Sequence, residues 1–291
     1  MTFSRLAIGM AHLARWPIGN AEVLDWVKSC LDMGFTTFDN ANIYGDYGSE
    51  ERFGEVLRQE QSLRSQMQLT TKCGIKVVSP KRPEHRIQHY DTSKSHILAS
   101  VEQSLKNFGT DYIDLLLIHR PDPLMDYEQV AEAFGELRDA GKVRHFGVSN
   151  FLPRQFDILE SCLDFPLTTN QVEFSVLGLA AIETGALDHC QQKRIPLMAW
   201  SPLTAGRLFM RKTARSRRVY AALEEIGRSL GDLPVDRVAL SWILCHPTPV
   251  VPITGATTLE QLESLSAATS LTLSRQQWFQ VYEASRGYGV P

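Results

Sequence analysis

The chain has 291 residues, of which 43% are hydrophobic, 22% charged and 9% aromatic, and its formal net charge is −3. That balance is globular and close to neutral, which argues against nucleic acid or an anionic membrane surface as the main partner. The length suits one large α/β domain, able to bury about three-quarters of the surface its unfolded chain exposes.

The opening MTFSRLAIGMAHL lacks the apolar core of a secretory signal, and no apolar stretch approaches the ~20 residues that cross a bilayer. Cys30, Cys73, Cys162, Cys190 and Cys245 are scattered, with no C-x-x-C pair. Unpaired thiols in a reducing cytoplasm are the expectation.

In chain order, short aliphatic or β-branched runs alternate with segments of helical period. The first run is Arg5 to Met10. A helix follows from an Asn20 cap, with Val23, Leu24, Val27 and Leu31 on one face. The second run, Thr36 to Asp39, precedes Ser49-Glu50-Glu51, where acids suit a first helical turn. The third, Met67 to Lys72, leads to a helix from about Thr92 to a Gly109 stop. The fourth, Ile113 to His119, has the near-continuous apolarity of a strand buried on both faces, and a helix from about Asp126 to Gly141 follows. The fifth, Arg144 to Ser149, precedes a helix opened by Pro153. The sixth is Thr168 to Glu173, with a helix over Ala180 to Gln191. The seventh is Ile195 to Trp200, with helices over Val219 to Leu230 and Pro234 to Cys245. The eighth is Val250 to Thr254, followed by helices over Leu259 to Ala268 and from Ser274.

Regular strand–helix alternation without a linker predicts a parallel sheet with right-handed crossovers. Eight units predict a single (βα)8 TIM barrel over residues 1–291. A doubly wound open sheet is the rival, but the only G-x-G, Gly287-Tyr288-Gly289, follows no strand.

Barrel chemistry sits at the carboxyl ends of the strands. Here those ends carry Asp39, Lys72, His119, Ser149-Asn150, Asn170-Gln171, Trp200-Ser201 and Thr254-Gly255. Singly, Asp39 also reads as a cap, Tyr44 as a loop aromatic and His119 as a satisfied core histidine. Together with Lys72 they form a working set. A buried lysine needs a carboxylate, and Asp39 stands on the adjacent strand. The ammonium stabilises a phenolate at Tyr44, whose ordinary pKa of ~10 makes it a poor acid. Such a tyrosine can protonate a developing alkoxide while an imidazole donates to the same oxygen.

The segments F-D-N-A-N-I-Y-G (38–45), T-T-K-C (70–73), L-L-L-I-H-R-P-D-P (115–123), G-K-V-R-H-F-G-V-S-N-F (141–151), N-Q-V-E (170–173) and A-W-S-P-L (199–203) resemble the aldo-keto reductases. Arg-Pro-Asp-Pro after His119 and R-Q-Q-W-F at 275–279 are similar to the bacterial YdhF-like branch. The resemblance spans essentially the whole chain. It implies a βα barrel that reduces aldehydes or ketones with NADP(H), and a catalytic tetrad of Asp39, Tyr44, Lys72 and His119. Tyr47 is the same residue type, but only Tyr44 stands in the Y-G position of the motif.

By the same resemblance, Ser149, Asn150 and Gln171 hydrogen-bond a nicotinamide carboxamide, and Trp200 stacks on its ring. Ser201, Pro202, Leu203, Gly206 and Arg207 lie beside the pyrophosphate, and Gly255, Thr257 and Gln261 at the adenosine 2′-phosphate and ribose. Three positions depart from the family. Asn40 replaces its usual small residue, and Ser264-Leu265 stand where a Glu-Asn pair often reads adenine. The run Thr257 to Gln261 holds no Arg or Lys, the usual partners of a 2′-phosphate, so NAD stays open beside NADP, with Arg207, Arg211 or Lys212 as substitutes. Strand one comes early, so the hairpin that often closes the barrel bottom is expected to be short or absent.

His12, Trp16, Tyr47, Tyr90 and Arg120 are substrate-contact candidates from placement alone. His85 and His89 share helical spacing but lie in a basic, Pro-containing loop, and no metal site is expected. The expected partner is a small carbonyl compound, with no nucleic acid or membrane, for a monomer or weak oligomer. Two rival functions remain: a cofactor-binding regulatory or redox-sensing subunit with negligible turnover, and a Schiff-base lyase using Lys72.

Overall fold

The computed structural model describes residues 1–291. Eight parallel strands follow the predicted runs: β1 (Ala7–Gly9), β2 (Thr37–Asp39), β3 (Gln68–Cys73), β4 (Ile113–Ile118), β5 (Val143–Ser149), β6 (Asn170–Glu173), β7 (Leu197–Trp200) and β8 (Val250–Thr254). Their hydrogen-bonded order, β1-β8-β7-β6-β5-β4-β3-β2, closes into a barrel. Strand β4 is buried at every residue, including Asp114, whose carboxylate accepts from Arg64 at 2.7 Å. No helix is long and apolar enough to cross a membrane.

Contacts group the chain into two compact units, Met1–Gln171 and Val172–Pro291. The first contains β1 to β5 and helices α1 (Asn20–Asp32), α2 (Ser49–Gln59), α3 (Lys94–Phe108), α4 (Tyr127–Asp139) and α5 (Pro153–Ser161). Register aligns Asp39 with Thr70 and Lys72 with Leu117, so the ends of β2, β3 and β4 lie side by side. Helices α2 and α3 approach closely at Gly54, where a Cβ would stand 2.0 Å from the Asn107 carbonyl. Gly109 ends α3 in the left-handed conformation, Asp126 caps α4 and Pro153 opens α5, all as the sequence predicts.

The second unit contains β7, β8 and helices α6 (Ala186–Lys193), α7 (Ala214–Ser229), α8 (Val235–Leu244), α9 (Leu259–Ala267) and α10 (Arg275–Arg286). Trp242, fully buried in its core, stacks on the half-buried Trp278 at 4.7 Å. Each indole N–H donates to the other residue's carbonyl, at 2.9 and 3.0 Å, which satisfies both polar atoms inside an apolar pack.

Several boundaries differ from expectation. Asn20 is the first residue of α1, and the cap is Gly19, whose N–H donates to Glu22 at 2.8 Å. The helix predicted over Ala180 to Gln191 is two pieces, Ala180–Glu183 and α6, because Gly185 takes a φ of +74° between them. Helix α7 starts at Ala214 rather than Val219, set by the Thr213 hydroxyl, which accepts from the Ser216 N–H at 3.0 Å. A small antiparallel hairpin, Ile75–Lys76 with His89–Tyr90, leaves the end of β3 where only a loop is predicted.

Candidate active site

The first unit brings Asp39, Tyr44, Lys72 and His119 together. Lys72 is fully buried on β3. Its ammonium donates to Asp39 Oδ2 at 2.7 Å, to the Asn40 carbonyl at 2.8 Å and to Tyr44 Oη at 3.2 Å. All three of its protons are thereby used, the condition under which a buried cation is tolerable. The His119 ring lies edge-on to Tyr44, with centroids 5.8 Å apart.

Tyr44 reaches this position through an unusual turn. Gly45, Asp46 and Tyr47 all have left-handed φ near +58°. A Cβ on Gly45 would stand 2.4 Å from the Ala14 Cβ and 2.5 Å from Ser49 Oγ. Only glycine fits there, which is the physical content of the Y-G pair. The same turn sends Tyr47 elsewhere, and its hydroxyl accepts from the Val77 N–H at 3.0 Å.

The electrostatics correct one expectation. Burial raises the Tyr44 pKa above its ordinary value, and the opposing pull of Lys72 only partly offsets this. The phenol is therefore a held proton at neutral pH rather than an acidified one. Burial on its own pulls Lys72 down, but the charge of Asp39 and the contact with Tyr44 outweigh it and hold the ammonium above its usual range. Burial first, then the charges of Lys72 and Arg120, push His119 well below 6.5. His119 is thus a neutral imidazole at pH 7, and its Nδ1 is buried without a hydrogen-bond partner.

A second set of polar groups joins this one from β5 and β6. Gln171 donates to the other oxygen of Asp39 at 2.8 Å. Ser149 donates to the Gln171 carbonyl at 2.8 Å, and the Asn150 amide donates to Ser149 Oγ at 2.8 Å and to the His119 carbonyl at 3.2 Å. Asn150 holds a left-handed φ of +62° to do so. The amide–carboxylate link from Gln171 to Asp39 and the lysine bond to the Asn40 carbonyl have no signature in the sequence. Each joins positions brought together only by strand register.

In the second unit, Trp200 ends β7, and the chain after it winds through positive φ at Ser201, Thr204, Ala205 and Gly206. Pro202 and Leu203 lie within that winding. Arg207 donates to the Thr204 carbonyl at 3.0 Å and pairs with Glu173 at 3.3 Å, with most of its side chain exposed. After β8, Gly255 is exposed and Thr258 caps α9. Gln261 folds back so that its carbonyl oxygen accepts from the Thr257 N–H at 2.9 Å.

The substrate-contact candidates separate. Arg120 acts electrostatically on both Tyr44 and His119. Trp16 packs edge-on against Trp26 of α1 at 4.8 Å, and Tyr90 is exposed on the hairpin opposite Ile75. His12 is exposed in the loop after β1.

The sequence profile of the aldo/keto reductase family matches residues 5–286. The chain belongs to that family. It is 50% identical over 291 residues to an uncharacterized oxidoreductase, YcsN, of Bacillus subtilis, covering 100% of this chain and 97% of the other. It is 44% identical to the oxidoreductase YdhF of Escherichia coli, covering 99% and 96%. It is 40% identical to a 6-dehydroglucose reductase of Agrobacterium fabrum, covering 100% and 97%. These likenesses agree with the YdhF-like branch. An aldo/keto reductase of Klebsiella pneumoniae, solved with NADP and acetate, superposes with a TM-score of 0.77 at 26% identity, covering 99% of this chain and 93% of the other. A thermostable aldo-keto reductase solved with the inhibitor epalrestat also gives 0.77, at 27% identity, with 96% and 94% covered.

Proposed function

We propose that this oxidoreductase is an NADPH-dependent carbonyl reductase in which Tyr44 is the general acid. The observation that carries this is the bond from Lys72 to Tyr44 Oη, at 3.2 Å, beside the bond from Lys72 to Asp39. When bound, the reduced nicotinamide supplies the hydride that adds to the carbonyl carbon.

The residues do the rest. Tyr44 gives its Oη proton to the carbonyl oxygen as that oxygen gains charge. Lys72, fixed by Asp39, stabilises the phenolate left behind. The neutral imidazole of His119 donates to the same oxygen and orients it. Solvent then returns a proton to Tyr44.

The donor set fits a pyridine dinucleotide. Asn150 and Gln171 are amides able to match a carboxamide, and Ser149 fixes both through its hydroxyl and their carbonyl and amide groups. Trp200 offers a ring face. Ser201, Pro202, Leu203, Gly206 and Arg207 would hold the pyrophosphate, and Gly255, Thr257 and Gln261 the adenosine end. The start of α9 favours a phosphate there through the positive end of its dipole, and Arg207, paired with Glu173 but mostly exposed, supplies a cation. NADP is favoured over NAD because one structural relative was solved with NADP. Arg120, whose charge acts on both Tyr44 and His119, is assigned to substrate, with His12, Trp16 and Tyr90 as further candidates; Tyr47 is not, because its turn carries it away from Tyr44 to the Val77 N–H. We take residues 1–291 to act as one cytoplasmic catalytic domain, monomeric or weakly oligomeric.

A Schiff-base lyase is disfavoured, since an ammonium that donates three hydrogen bonds has no lone pair to attack with. Fluorescence titration with NADPH and NADH, followed by a panel of aldehydes and ketones, tests the proposal. Saturable NADPH binding with turnover is expected. Failure to bind either nucleotide would overturn it, and binding without turnover on any carbonyl would favour a regulatory subunit.

A further inference from the structure

The first unit holds a second polar site that this reaction does not use. Alternation along β3 sends Lys72 to one face and Thr71 to the other. Behind Thr71 lies Glu50 of α2, only 2% exposed. Its carboxylate accepts three hydrogen bonds: Oε1 from Thr71 at 2.6 Å and Ser104 at 2.8 Å, and Oε2 from the Asn107 amide at 2.9 Å. Against this floor opens a cavity of about 640 Å³, bounded by α2, α3 and the hairpin loop that follows β3. Such a volume suits a small metabolite.

The walls carry Arg58, Lys76, Lys81, Arg82 and Lys106. Lys76 is neutralised by Asp91 at 2.6 Å. The other four have no carboxylate within ion-pair distance, unlike Lys94 of α3 and Lys142 just before β5, which pair with Glu136 and Glu102. Arg82 instead lies 4.9 Å over the Tyr47 ring and donates to the Lys81 carbonyl. The acids present do not cancel these charges. Burial pushes Glu50 up toward its neutral form, and the exposed Glu51 and Glu84 are outnumbered four to two by the unpaired cations. Four like charges around one concavity repel one another, and a multivalent anion relieves that repulsion. Two of them are guanidinium groups, whose forked donors match phosphate oxygens.

We propose that this cavity binds a small, multiply charged anion of the phosphate-ester or diphosphate class, at a site separate from the one around Tyr44. Isothermal titration of the full-length protein with inorganic pyrophosphate tests it. Saturable one-site binding that weakens as salt is raised is expected. Replacing Lys81 and Arg82 together by Ala should weaken that binding about tenfold or more, and Lys106→Ala severalfold, the scale of a lost charge-assisted hydrogen bond. All three side chains are on or near the surface, and unchanged melting curves would show that the variants fold. Lys142→Ala, outside the cavity, should leave affinity unchanged. Absence of saturable binding would overturn the proposal. So would affinity indifferent to Lys81, Arg82 and Lys106, or affinity lost instead in Arg207→Ala, which would place the anion at the proposed nucleotide site.

Discussion

Tyr44 is governed by opposing effects, and burial prevails over the neighbouring cation. Because the folded pKa lies above the ordinary value of about 10, the acid form persists through neutral and moderately alkaline pH. Carbonyl reduction should therefore be flat from pH 6 to 9 and fall only above about pH 10. His119 should leave no inflection near 6.5, since its pKa lies well below that value and the ring is already neutral. Asp39 is what keeps Lys72 charged against burial. Asp39→Asn removes that charge, so the alkaline limb of the rate profile should move to lower pH. A limb that stays in place would separate Asp39 from the proton transfer. The four residues of this set are legible in sequence because each ends a strand or sits in a turn with a fixed motif. The direction of the Tyr44 shift is not, because desolvation depends on the whole enclosure.

At the scale of elements, the turn after β2 is the most constrained. Gly45→Ala would force a side chain into a left-handed residue against Ala14 and Ser49. It should cost about 1–3 kcal/mol of stability and displace Tyr44, so that thermal melting and turnover fall together. Melting without loss of turnover would show that Tyr44 does not depend on this turn.

The hairpin after β3 is tied to α3 by Asp91, which accepts from Lys76 at 2.6 Å and from the Ser93 hydroxyl at 2.6 Å. Burial opposes its ionisation, but Lys76 and Ser93 prevail and lower its pKa from 3.8 to about 2. A lowered carboxylate contributes stability above its unfolded pKa and loses it as pH falls through the folded one. Asp91→Asn should thus cost about 1 kcal/mol near pH 7, discounted for partial exposure, and little below pH 2. Urea melts at the two pH values check this, and an equal cost at both would assign the effect to packing.

Helix caps such as Ser274 and Asp126 are local and were readable. The hairpin was not, since its strands are only Ile75–Lys76 and His89–Tyr90 and the second is exposed. The break at Thr184-Gly185 is also hidden in the sequence, because Ala and Leu on either side continue the helical period and only the backbone of Gly185 departs from it.

For the molecule as a whole, eight alternations were enough to predict the barrel, because strands buried on both faces and right-handed crossovers leave few other closures. The long-range bonds were hidden: Gln171 meets Asp39 only because register and closure bring them together. The second, cationic cavity was hidden for the same reason, as Arg58, Lys81 and Lys106 come from three separate segments.

The most direct measurement on the molecule is a comparison of Tyr44→Phe with the native protein, by nucleotide titration and by single-turnover oxidation of bound NADPH with a reactive aldehyde. Nucleotide affinity should hold within about twofold while the rate constant falls about 10²- to 10⁴-fold, the usual contribution of a positioned general acid. A rate constant within a factor of a few of the native protein's would contradict Tyr44 as the proton donor.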